Sequence, residues 1–169
     1  MQSELNKAVF LDRDGVINFE RGDYTWLLED FKLTPDLAPA LRLLKEAGFY
    51  LIIISNQGGI EKGMFSKAEV EYLHLHLIRN LRNQGVELDE IYYCPHHQQE
   101  SKCICRKPDS LLLEKAIARF QIDAQNSWFI GDAERDIQAG QKAGVKTIKV
   151  ESNRSLMDIV PKILGEINS

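Results

Sequence analysis

Three apolar runs in this chain stop abruptly at polar residues, and that pattern constrains the fold more than any other feature. Ala8-Val9-Phe10-Leu11 ends at Asp12-Arg13-Asp14-Gly15, Tyr50-Leu51-Ile52-Ile53-Ile54 ends at Ser55-Asn56-Gln57, and Trp128-Phe129-Ile130 meets Gly131-Asp132. Such runs read as buried strands of a parallel sheet that deliver polar residues at their carboxyl ends. Leu37, Ala40, Leu41 and Leu44 recur at helical spacing before Gly48, which predicts a helix between the first two strands. Ser66 opens a capping box with Glu69, and Phe65 is placed to staple onto Val70, so a second helix should run to about Asn83. Further strands are expected at residues 90–93 and 147–150, with helices after Pro108, ending near Gly144, and starting from Ser155. Strands alternating with helices predict an α/β, Rossmann-like, doubly wound parallel sheet whose ligands gather at the carboxyl ends of the strands. Residues 15–35 lack strong periodicity, and their aromatic and acidic side chains suggest a flap over the site.

The length of 169 residues suits one compact domain spanning residues 1–169. A formal net charge of -4, without a basic stripe, argues against a nucleic-acid surface. The N-terminus lacks the basic start and long apolar run of a signal peptide, and no apolar run has the length of a membrane span. A cytoplasmic protein without a membrane partner is the expectation.

Asp12 and Asp14 lie two positions apart just after a strand, so both side chains should reach one small volume while Arg13 points elsewhere. Two neighbouring carboxylates must divide their labour: one stays ionised as nucleophile and metal ligand, while the other has its pKa raised and serves as general acid, then base. An isolated D-x-D-G fits a solvated turn equally well. The other strand ends decide between these readings, because Ser55 brings a hydroxyl, Lys107 a cation and Asp132 a carboxylate. Together with the pair they make a phosphoryl-transfer set. Asp136, four residues after Asp132, could support a metal shell, position Lys107, or simply sit at a helix start.

All three cysteines fall in one stretch, Cys94-Pro95-His96 followed by Cys103-Ile104-Cys105. Three thiolates and an imidazole form a tetrahedral donor set suited to zinc, with His96 and His97 competing for the fourth position. Four protein ligands leave no open position, so such a zinc would be structural, holding the loop that delivers Arg106 and Lys107.

The motifs Phe10-Leu11-Asp12-Arg13-Asp14-Gly15-Val16-Ile17-Asn18, Ser55-Asn56-Gln57, Arg106-Lys107-Pro108 and Gly131-Asp132 with Asp136 resemble, in order, those of the haloacid dehalogenase (HAD) superfamily. The resemblance runs from Phe10 to about Val150. It implies a HAD-like fold, here with no room for a cap domain, and a phosphatase. In that reading Asp12 attacks phosphorus, Asp14 protonates the leaving oxygen and then activates water, and Ser55 and Lys107 bind the phosphoryl oxygens. Magnesium would be held by the Asp12 carboxylate, the Asp14 backbone carbonyl and Asp132. The family pattern C-x-H…C-x-C selects His96 as the zinc ligand beside Cys94, Cys103 and Cys105. The zinc loop followed by Cys-Arg-Lys-Pro is similar to two branches, the heptose-bisphosphate phosphatases and the histidinol-phosphate phosphatases. The resemblance to the first is the closer one. It implies a monomeric enzyme for a small phosphorylated metabolite, with substrate contacts from Arg106, Asn56, Gln57, Arg13 and the flap residues Glu20, Arg21, Gly22 and Asp23. The chain departs from both branches at Ala133, where they place a basic residue, and its loop between His96 and Cys103 is nearer the histidinol type. The alternative outside catalysis is a zinc-stabilised phosphate-binding module that has fallen silent.

Overall fold

The computed structural model describes residues 5–165. Its strands β1 (Lys7–Leu11), β2 (Phe49–Asn56), β3 (Glu90–Cys94), β4 (Trp128–Gly131) and β5 (Lys146–Lys149) form one sheet in the order β3-β2-β1-β4-β5, with every pairing parallel. The helices are α1 (Leu37–Glu46), α2 (Lys67–Asn83), α3 (Leu111–Phe120), α4 (Glu134–Lys142) and α5 (Val160–Gly165). Alternate strand residues divide the core in two. Val9, Leu11, Leu51 and Ile53 pack with Leu41, Leu44, Leu73, Leu77 and Ile163 on one face, while Ala8, Phe10, Ile52 and Ile54 pack with Leu113, Ala116 and Ala139 on the other. β1 is thus buried from both sides, which explains its unbroken apolar sequence.

Chain order reverses beside β1, whose neighbours are β2 on one side and β4 on the other. The loops after β1 and β4 therefore diverge to opposite faces and leave a crevice between them, where α/β sheets bind ligands. Asp12 and Asp132 lead those two loops.

The capping box at Ser66 and Glu69 forms as the sequence predicts, with Ser66 Oγ accepting from the Glu69 N–H at 3.2 Å. The Phe65 ring, expected to staple onto Val70, lies against the flap, stacked on Trp26 and edge-on to Tyr24. β5 starts one residue earlier than expected. The terminal helix expected from Ser155 is split into a single 3-10 turn, Leu156–Asp158, and α5. Pro161 explains the break: it has no N–H to continue a helix but fits the first turn of a new one. Among the described residues no helix is long and apolar enough to cross a membrane.

Candidate active site

β1 ends at Leu11, and the chain then turns sharply at Gly15, whose φ is 89°. A side chain there would collide with Asp132, since a Cβ would lie 2.0 Å from its Oδ2. Glycine thus brings the first loop against the fourth strand's carboxylate. Asp12, Asp132 and Asp136 offer oxygens within 4.8 Å of one another. Ser152 Oγ donates to Asp132 Oδ2 at 2.6 Å and orients it.

Lys107 lies under this cluster, almost wholly buried. Its Nζ donates to Asp12 Oδ1 at 2.7 Å and to the Ile54 carbonyl at 2.8 Å, and lies 2.7 Å from Asp136 Oδ1. Burial opposes its charge, but Asp12 and Asp136 outweigh that and raise its pKa. Asn56 clamps the same residue's backbone, accepting from the Lys107 N–H and donating to its carbonyl, both at 3.0 Å. The other oxygen of Asp136, Oδ2, accepts from the Ala133 N–H at 3.0 Å. Asp136 therefore serves two of the three roles the sequence left open, helix-start carboxylate and positioner of Lys107, and its place beside Asp12 and Asp132 is compatible with the third.

The two carboxylates of the first loop have opposite environments. Burial pushes Asp12 up to about 7 against the pull of Lys107. Burial also acts on Asp14, but the Arg13 guanidinium and hydrogen bonds from Arg13, Asn18 and Gln57 hold it below the usual carboxylate range. Arg13 grips Asp14 with two bonds, Nε to Oδ2 at 3.1 Å and Nη2 to Oδ1 at 2.9 Å. Asn18 Nδ2 and Gln57 Nε2 each add one at 3.0 Å, and the Gln57 amide also donates to Ser55 Oγ at 2.8 Å.

Above this floor opens a cleft of about 290 Å³ lined by Asp12, Asp14, Asn56, Gly58, Glu20, Gly22, Asp23, Tyr24, Arg106 and Arg135. The flap wall is tied down by Asn153, whose amide accepts from the Glu20 N–H at 2.6 Å and donates to its carbonyl at 3.0 Å. Arg106 on the opposite wall donates from Nη1 to the His96 carbonyl at 3.1 Å.

That carbonyl belongs to a second cluster, in which the Sγ atoms of Cys94, Cys103 and Cys105 and Nδ1 of His96 come within 4.8 Å of one another. Their separations are 3.1 Å between Cys94 and Cys105, 3.3 Å between His96 and Cys105, 3.5 Å between Cys94 and His96, and 3.7 Å between Cys94 and Cys103. Tetrahedral zinc, with bonds of about 2.0–2.3 Å, needs ligand edges of roughly 3.4–3.8 Å. Burial pushes the Cys94 thiol up, and a divalent cation at the centre is the charge that would favour thiolates there. His97 lies outside the cluster; its backbone N–H donates to Glu61 and its Nδ1 accepts from the Gln99 N–H.

A HAD-hydrolase-like family model matches residues 104–161. The D-glycero-beta-D-manno-heptose-1,7-bisphosphate 7-phosphatase of Haemophilus influenzae is 42% identical over 84% of this chain and 79% of its own. The D-glycero-alpha-D-manno-heptose-1,7-bisphosphate 7-phosphatase of Photorhabdus laumondii is 36% identical over 86% of this chain and 82% of its own. The chain belongs to the haloacid dehalogenase superfamily. Its fold also matches the crystal structure of D,D-heptose 1,7-bisphosphate phosphatase from B. bronchiseptica complexed with magnesium and phosphate, at a TM-score of 0.85 and 26% identity over 95% of this chain and 99% of that one.

Against this HAD frame, several sequence expectations need correction. Arg13 does not point elsewhere; it folds back onto Asp14 and is fully buried, so it is no substrate contact. Gln57 is buried too, and spends its amide on Asp14 and Ser55. Arg21 pairs with Asp30 and does not line the cleft. The raised pKa falls on Asp12, because no guanidinium offsets its burial as Arg13 does for Asp14. Arg135 and Tyr24 were missed, and Asn18 stood in the first motif with no role assigned to it. Arg135 had a signal of its own, a cation two residues beyond Ala133, where a basic residue was expected.

Protons would compete with a divalent ion held by Asp12, so magnesium should bind more weakly as pH falls through about 7, by up to about tenfold per pH unit. Thermal shifts with magnesium at two pH values, about 6 and about 8, check this; equal affinity at both would contradict it.

Proposed function

We propose that the chain is a magnesium-dependent phosphomonoester hydrolase that removes the 7-phosphate of D-glycero-D-manno-heptose 1,7-bisphosphate. The observation that carries this reading is the cleft itself: a buried Asp12 fixed by Lys107 at its floor, and two arginines, Arg106 and Arg135, on its walls. One phosphate would sit at the floor and a second would find a planar guanidinium higher up. The reported relatives are named for the heptose substrate, which favours it over histidinol phosphate.

In this reading an Asp12 carboxylate oxygen attacks phosphorus, the bond from phosphorus to the sugar oxygen breaks, and Asp14, which must first take up a proton against surroundings that favour its charged form, gives that proton to the sugar oxygen. Water then attacks the aspartyl-phosphate, Asp14 takes its proton, and the acyl phosphate bond breaks to release phosphate and restore Asp12. Lys107 and the Ser55 hydroxyl face the phosphoryl oxygens. Asp12 and Asp132, whose oxygens lie within 4.8 Å of one another, would hold a magnesium ion together with the Asp14 backbone carbonyl, and the ion would neutralise the transferring group's charge. The four donors Cys94, His96, Cys103 and Cys105 would hold a structural zinc. Three free thiols kept together suit a reducing compartment, in keeping with a cytoplasmic enzyme.

Specificity constants for both anomers of the heptose bisphosphate and for histidinol phosphate test this reading. A preference for histidinol phosphate would overturn the substrate. Removing either arginine, as Arg106→Ala or Arg135→Ala, should raise KM for the bisphosphate by about 10–100-fold. It should change KM for a simple alkyl monophosphate little.

A further inference from the structure

Arg13 is a fully buried cation, and its polar contacts are few: two bonds to Asp14, one from Nη2 to the Thr25 carbonyl at 2.7 Å, and one between Nη1 and His74 Nε2 at 3.4 Å. His74 lies midway along α2 and is itself buried, with its ring edge-on to Tyr93. A guanidinium only donates, so Nε2 must accept and the ring must carry its proton on Nδ1. Burial and the neighbouring Arg13 keep the imidazole neutral, holding it down to about 3. Without that acceptor a buried guanidinium N–H would have no partner, and a guanidinium free to rotate would no longer hold both oxygens of Asp14.

We propose that His74 is a positioning residue for Asp14, acting through Arg13: it fixes the plane of the guanidinium, and the guanidinium fixes the carboxyl. This rests on the reading of Asp14 as acid and base. His74 does not line the cleft and reaches Asp14 only through Arg13, so it touches neither substrate nor metal ligands directly. Its loss should slow the steps that move a proton and leave substrate binding alone.

The test is the first turnover of His74→Leu on two substrates, a sugar phosphate whose alkoxide must be protonated and p-nitrophenyl phosphate, whose leaving group departs as a stable anion. Cleavage of the sugar phosphate should fall by about 10–100-fold and that of p-nitrophenyl phosphate by no more than about threefold. His74→Gln, whose amide oxygen again offers an acceptor, should recover most of the loss. Equal losses on both substrates, no loss on either, or a His74→Gln variant as impaired as His74→Leu would each overturn the proposal. If His74→Leu does not fold, Arg13→Lys carries the same comparison, since an ammonium cannot make paired bonds to Asp14. Asp14→Asn separates the two failures. Without leaving-group selectivity in that variant, the acid/base reading itself falls; with selectivity there but none at His74, only the positioning role falls.

Discussion

Asp12→Asn should abolish turnover on every phosphomonoester, p-nitrophenyl phosphate included, by about four orders of magnitude or more. An amide oxygen is too weak a nucleophile to form the acyl phosphate, and no second carboxylate can replace it. Asp14 is held by Arg13, Asn18 and Gln57, and Asp136 by Lys107 and Ala133. The variant should nonetheless fold. Burial already disfavours the ionised form of Asp12, as its rise to about 7 shows, so a neutral amide of nearly the same shape relieves that cost. Lys107 keeps Asp136 and the Ile54 carbonyl as partners. Its melting temperature should therefore stay within a few degrees of the parent. Phosphate release measured beside a melting curve checks both halves, and measurable turnover in a pure, folded variant would rule out the covalent route.

The sequence showed most of this site because its residues sit where strands end. Asp12, Ser55 and Asp132 each follow an apolar run, and an apolar run is legible without tertiary information. The error over Arg13 has a definite cause. Alternation of side chains was carried past Leu11, where β1 ends, into a loop that Gly15 turns at a φ of 89°. Period-two reasoning holds only inside a strand, so the prediction that Arg13 leaves the site failed two residues beyond its range. Which carboxylate is raised was equally hidden, because it depends on where a guanidinium 13 positions into the chain folds back. Arg135 and His74 show a third kind of limit. One is an exposed cation on the first turn of α4 and the other a histidine among many polar residues of α2. Only packing of distant segments brings them to the cleft wall and to Arg13. Asp136 was legible as three competing roles, and its two oxygens satisfy two of them, the hold on Lys107 and the helix start.

Removing the zinc proposed for the cysteine cluster should cost stability first and substrate binding next, with the chemical step affected last. Residues 95–106 contain no helix or strand, and Ile104 is exposed, so little apolar packing orders this loop. Metal–ligand bonds would supply what packing does not, and a loss of about 3–5 kcal/mol would lower the melting temperature by about 10 °C or more. The two basic residues after Cys105 should then part company. Arg106 hangs from the loop through the His96 carbonyl, so its grip on substrate loosens as the loop does. Lys107 is anchored in the sheet, by Ile54, by both ends of the Asn56 amide, and by Asp12 and Asp136, so it should stay in place. Cys105→Ser, or chelation followed by restoration of magnesium alone, should thus raise KM for the bisphosphate by about tenfold or more while kcat falls less, wherever the protein stays folded. Zinc content, melting temperature and the two kinetic constants decide it together. Full affinity in folded, zinc-free protein would show that the loop holds Arg106 without a metal.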